Sequence, residues 1–255
     1  MTDLTELKAA ALAATPLAVV GFSGGITSAR CVEWALANYP REDVVLLFHD
    51  TKEEDADTYR FLHEVATHFD MPVTEQSDGR SVSEVFEDEH AIANNRMAFC
   101  SRILKAEQRD VYFAPIKDVR PVVNILGLTK VEWQRIQRTA MRAEHAGYTC
   151  RYPCVEMGWT KQDCIDWAIS IGIQPPAIYE WSEHANCVGC VRGGRAYWKA
   201  VDANRPDVYE TRMAQEDKFG FTIINGISLR ELRNTPLKRA VNWREQFEVP
   251  CECSA

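Results

Sequence analysis

One stretch constrains this chain more than any other: Val19-Val20-Gly21-Phe22-Ser23-Gly24-Gly25-Ile26-Thr27-Ser28-Ala29-Arg30. The apolar run from Leu17 to Phe22 has strand length. It breaks on Ser-Gly-Gly, and a helix-compatible stretch follows from Ser28 to Tyr39. A strand, a tight turn and a helix start leave backbone N–H groups unpaired at a positive dipole end. Two glycines let the backbone approach an anion closely, and Ser23, Thr27 and Ser28 add hydroxyl donors. The stretch reads as a cradle for phosphate or sulfate. A plain strand-to-helix turn would use the same glycines, so the downstream residues must decide.

Those residues continue an alternating pattern. Val44 to Thr51 is a continuous apolar strand ending on His49-Asp50-Thr51. Such a run suits a parallel sheet buried on both faces. Asp55 to Phe69 has helical periodicity, and Met71 to Thr74 starts a third strand. The β-α-β-α-β order predicts a doubly wound, mostly parallel α/β sheet with helices on both faces. Val122 to Thr129 is a further strand, ending on Gly127-Leu128-Thr129 and followed by Lys130, Arg135 and Arg138. Residues at the carboxyl ends of parallel strands line the ligand crevice of such folds. That places His49, Asp50, Thr51, Gly127 and Leu128 with Phe22, Ser23, Gly24, Gly25, Thr27 and Ser28 as candidate ligand contacts, with strand-end capping the alternative for His49 and Asp50. Thr160 with Asp163 reads as an approximate capping box for a helix ending at Gly172. Pro206 to Phe219 reads as a later helix.

Charge is unevenly spread. The chain carries a net charge of −8 over 255 residues, with residues 1–90 at −12 and residues 91–255 at +4. The acidic first third excludes an overall nucleic-acid coat, while the basic remainder can still face a polyanion. The start, Met1 to Thr15, lacks a signal-peptide pattern and reads as a short leading helix. No apolar run reaches the roughly 20 residues of a membrane helix. A cytoplasmic protein is expected, with residues 1–180 as the α/β domain and 181–255 as a helical, cysteine-bearing part packed on it.

Nine cysteines are many for a chain where disulfides are not expected. Cys187-Val188-Gly189-Cys190 is a metal knuckle or a redox pair, and its surroundings favour metal. Cys100 precedes a helix beginning near Ser101 and is the third candidate ligand. Cys251, Cys253, Cys154 and a non-protein ligand compete for a fourth place, with Cys253 preferred. Cys31 and Cys164 fall in helical stretches and read as core residues.

Taken together, the ordered motifs resemble the phosphoadenylyl-sulfate (PAPS) reductase family of the PP-loop, adenine-nucleotide α-hydrolase-like superfamily. Ser23-Gly24-Gly25-Ile26-Thr27-Ser28 stands where that superfamily has its Ser-Gly-Gly-x-Asp-Ser loop. Phe48-His49-Asp50-Thr51, Cys100-Ser101-Arg102-Ile103-Leu104-Lys105, Gly127-Leu128-Thr129, Trp159 to Asp163 and Asn186 to Cys190 follow in the family's order. Thr27 replaces the loop aspartate, and Pro250-Cys251-Glu252-Cys253 is not the tail of the true sulfonucleotide reductases. The cysteine layout is similar to the iron–sulfur branch. The resemblance implies ATP, or PAPS or adenylyl sulfate, in the loop crevice, with Mg²⁺. It implies catalytic roles for Ser23, Lys105 and Arg135. It also implies a [4Fe-4S] cluster, with Zn²⁺ the alternative, on Cys100, Cys187, Cys190 and Cys253. Partners implied are a nucleic-acid acceptor, a cysteine desulfurase or a reductant protein, with a homodimer left open and no membrane.

Overall fold

The computed structural model describes residues 15–237. Cys251, Cys253 and the leading helix therefore lie outside the described residues. Five strands form one all-parallel sheet in the order β3-β2-β1-β4-β5. They are β1 (Leu17–Gly21), β2 (Val44–His49), β3 (Val73–Gln76), β4 (Val122–Ile125) and β5 (Thr149–Arg151). The register sets Val20 beside Leu46 on one side and beside Ile125 on the other.

Side-chain alternation along these strands divides the core. Ala18, Val20, Leu46 and Phe48 join one cluster, and Val19 and Leu47 join the opposite one. This is the period of two that a strand imposes. α1 (Ile26–Asn38) and α2 (Ala56–His68) pack on the first face, together with α7 (Pro153–Glu156) and α8 (Lys161–Ser170). α5 (Gln108–Lys117) and α6 (Trp133–Ala146) supply Phe113 and Ala143 to the second. Asp55 caps α2 by accepting from Asp57 N, and Thr160 with Asp163 forms the expected capping box on α8.

A second core lies to one side. α3 (Val82–Asp88) and α4 (Phe99–Ser101) meet α9 (Arg195–Asn204), α10 (Pro206–Phe219) and α11 (Leu229–Arg233) there. Trp198, Tyr209, Phe86 and Leu104 are wholly buried in it. The helical part thus shares its core with residues 82–104. Between α4 and α5 the helix widens into a π-helical segment, Arg102–Glu107. Such segments recur at functional sites. No helix among the described residues is long and apolar enough to cross a membrane.

The strand order reverses direction at β1. From β1 the chain leaves toward β2, while β4 lies on β1's other edge. Loops that diverge this way leave a crevice at the carboxyl end of the sheet.

Candidate functional site: a cationic crevice beneath the glycine loop

The loop after β1 is built as a cradle. Gly24 has φ +73, a left-handed conformation, and its α-carbon faces Thr58, where a Cβ would stand 2.5 Å from Cγ2. Gly25 is the N-cap of α1. The helical ladder opens with Ala29 N–H donating to Gly25 O. Ile26 N–H, ahead of it, donates to the Tyr179 hydroxyl at 3.0 Å. The Ser28 hydroxyl donates to Gly25 O at 2.8 Å and accepts from Ser23 N at 3.3 Å. These bonds hold the loop open before any anion enters. From the far side, Gly127 lies against the loop backbone, where its missing Cβ would fall 2.5 Å from Ser28 N. Gly127 is therefore the floor of the cradle, fitted by close backbone approach.

The crevice below holds about 540 Å³. Ser23, Gly25, Thr27, Ser28, His49 and Thr51 line it, and so do Gly127, Leu128, Lys105 and Arg135. Three expected contacts take other positions. Phe22 is wholly buried in the core and its N–H donates to Leu47 O. Gly24 turns toward Thr58. Asp50 accepts from Lys52 N at 2.8 Å and from the Tyr59 hydroxyl at 2.5 Å, so its carboxylate stabilises the turn after β2.

His49 Nε2 is buried without a hydrogen-bond partner. Burial, then Lys105 and Arg109, push its pKa down to about 4, so the ring is neutral at physiological pH. His184 is lowered to about 3 by burial, then by Lys161 and Arg135.

The cysteines fall into two groups. Cys100, Cys187 and Cys190 all line the crevice. Burial pushes each thiol up, Cys100 to about 11, and Cys190 adds to the shift at both Cys100 and Cys187. Near them Glu54, with its side chain 1% exposed, binds Lys105 Nζ at 3.0 Å. The same oxygen accepts from the Thr51 hydroxyl at 3.1 Å and from the Cys187 thiol at 3.5 Å. Burial opposes the Lys105 charge, but Cys187, Glu54 and Cys190 more than offset it. The Tyr197 hydroxyl accepts from Gly189 N and Cys190 N, which shapes the Cys-x-x-Cys turn.

Cys154 belongs to the other group. It hydrogen-bonds Cys31 and Cys164, and all three are buried in the main core. It is not with the crevice thiols, which removes it from the candidates for a fourth ligand.

The crevice donor set suits a thiophilic centre in its chemistry. Cys100 on α4 and Cys187 and Cys190 in the loop before α9 line one crevice, and a metal bound there would deprotonate them and remove their mutual repulsion. Among the described residues, no three His, Cys, Asp or Glu side chains already stand in a metal-holding arrangement.

Sequence reasoning missed Glu54, Arg109 and Lys161, which lie at or line this crevice. Glu54 sits in the acidic run Glu53-Glu54-Asp55, which looks like a solvated loop.

A five-stranded all-parallel sheet with helices on both sides and a glycine loop after its central strand defines the class as an α/β fold. Residues 17–193 match the family model of the phosphoadenosine phosphosulfate reductase domain, and the chain belongs to that family. Among solved structures it is similar to the phosphoadenylyl-sulfate (PAPS) reductase from Candida auris, determined as a phosphate complex. The two are 16% identical with a TM-score of 0.45, over 69% of this chain and 83% of that one. No curated protein matches the chain.

Proposed function

We propose that this chain is an adenine-nucleotide-dependent enzyme of sulfur chemistry that cleaves ATP between its α and β phosphates. The acceptor oxygen would be adenylated, and pyrophosphate would leave into the loop. The observation that carries this reading is the preformed cradle of Ser23, Gly25 and Ser28 above a crevice rich in Lys and Arg. The N-terminus of α1 would face the leaving-group charge, and donors fixed in place beforehand stabilise such charge. Arg135 lines the same space and supplies a compensating cation. Mg²⁺ carried in with the nucleotide would neutralise phosphate charge.

Cys100, Cys187 and Cys190 would hold an iron–sulfur cluster or zinc. When bound, that centre supplies a redox or sulfur-carrying site, or a structural clasp. Lys105 and Glu54 would tune its charge environment, because their pair stands against Cys187.

The family assignment favours a second reading, reduction of PAPS or adenylyl sulfate. The two differ in products: AMP and pyrophosphate from ATP, or sulfite from the sulfonucleotide. Incubating the chain with each nucleotide separately and identifying the products decides between them.

A further inference from the structure

The chain carries a net charge of −8, yet its crevice is lined by seven Lys and Arg side chains and only two carboxylates, Glu132 and Glu183. Three of the cations, Arg135, Arg138 and Arg142, lie on α6. Their spacing of three and four residues puts them on one stripe of the helix, about 10 Å long. Arg135 pairs with Glu132 at 3.0 Å and Arg142 with Asp110 at 2.9 Å, and these arginines remain 59% and 44% exposed. Exposed pairs of this kind are weak and exchange readily with other anions.

The helix itself is unusual. Ala143 is its only buried residue. Trp133 and Met141 are 54% and 71% exposed on it. A helix with so small a buried face has most of its surface available to a partner. The loop N–H groups with Lys105 and Arg109 can meet the charge of one nucleotide. The α6 row is additional, and it leads from the crevice to the outer surface.

We infer that α6 is the docking face for a single-stranded nucleic acid whose reactive group enters the crevice. The inference rests on the acceptor reading proposed above and names its class. Phosphates lie along Arg135, Arg138 and Arg142. Trp133 does not line the crevice and sits on the opposite side of α6 from this stripe, so charge alone recruits the strand. The strand is single because a reactive group must leave the helical stack to reach a crevice floored by Gly127. The charge contrast within one acidic chain concentrates the field where the polyanion is needed.

The test uses the full chain and a fluorescein-labelled oligonucleotide of about 12 nucleotides, as DNA and as RNA. Anisotropy is followed between about 50 and about 200 mM salt. Three phosphate contacts predict a log–log slope of about −2. Arg138→Ala with Arg142→Ala should make that slope shallower by about 1.4, and the double lysine variant should restore it. Trp133→Ala, on the opposite side of α6, should leave binding unchanged and serves as the control. Melting curves check that each variant folds; if the alanine pair does not, Arg138→Gln with Arg142→Gln replaces it and should give the same shallower slope. An unchanged slope, no binding at the lowest salt, or equally tight binding of polyglutamate would overturn the docking face. Calorimetry with ATP on the unmodified chain keeps the two readings apart. ATP bound without oligonucleotide defeats only the docking face. Oligonucleotide bound with these slopes but no ATP supports the face and defeats the nucleotide reading.

Discussion

Gly127 and Ser28 are in backbone contact across the crevice floor: a Cβ on Gly127 would stand 2.5 Å from Ser28 N. The loop after β4 thereby fixes the height of the loop after β1, and the shape of the glycine loop is a product of both. Gly127→Ala should cost about 1–3 kcal/mol through overpacking against rigid backbone, and nucleotide affinity should fall with it. Gly25→Val should act differently. A Cβ at Gly25 meets nothing closer than 3.5 Å, so the fold survives while the side chain blocks the anion. Melting curves paired with nucleotide calorimetry separate the two, and equal losses of stability would contradict this assignment.

Arg212 joins the two cores. Its side chain is 2% exposed and ion-paired with Glu53, and it donates to Ser83 Oγ and Gln215 Oε1 at 2.8 Å. The Glu53 carbonyl in turn accepts from Val188 N inside the Cys-x-x-Cys turn at 2.8 Å. Removing one partner strands a buried charge, so Arg212→Met should destabilise the chain by about 3–5 kcal/mol. Urea unfolding measures this, and a change below about 1 kcal/mol would show the pair to be dispensable.

The two thiol groups make opposite predictions. Alanine at Cys100, Cys187 or Cys190 should remove bound iron or zinc, measured by elemental analysis and by absorbance of the purified protein. Alanine at Cys31 or Cys164 should leave metal content unchanged and cost stability only. Metal retained in all three crevice variants would detach the centre from this site.

Stability should fall on the acid side. The folded pKa of His49, about 4, lies below its ordinary value of 6.5. Between those values the unfolded chain binds the proton and the folded chain does not. His49 therefore weakens the fold as pH drops from about 6.5 toward 4, and His184 acts in the same direction. The urea midpoint should fall between pH 7 and pH 5, and less steeply in His49→Gln. Identical slopes for the variant and the parent would mean that His49 is protonated in the fold.

Much of the sheet was legible because burial on both faces writes continuous apolar runs at β1, β2 and β4. The fifth strand escaped, since Thr149-Cys150-Arg151 is short and alternates exposed with half-buried positions. Phe22 closes the apolar run and was expected to contact a ligand because it adjoins the glycine loop, yet its side chain belongs to the core. That Cys100 would line one crevice with Cys187 and Cys190 was legible from the strand order, which brings both segments to the carboxyl edge of the sheet. Glu54 was not, because nothing local marks a carboxylate that will be buried between Lys105 and Cys187. The grouping of Cys154 with Cys31 and Cys164 depends on how α1, α7 and α8 pack, which no spacing encodes.

The central claim is that the glycine loop and crevice bind ATP and release pyrophosphate. The direct measurement is calorimetric titration of the full chain with Mg–ATP, followed by product analysis. The account predicts saturable binding that Gly25→Val abolishes, with AMP or an adenylate and pyrophosphate as products. Absence of binding by any adenine nucleotide, or release of ADP and orthophosphate, would contradict it.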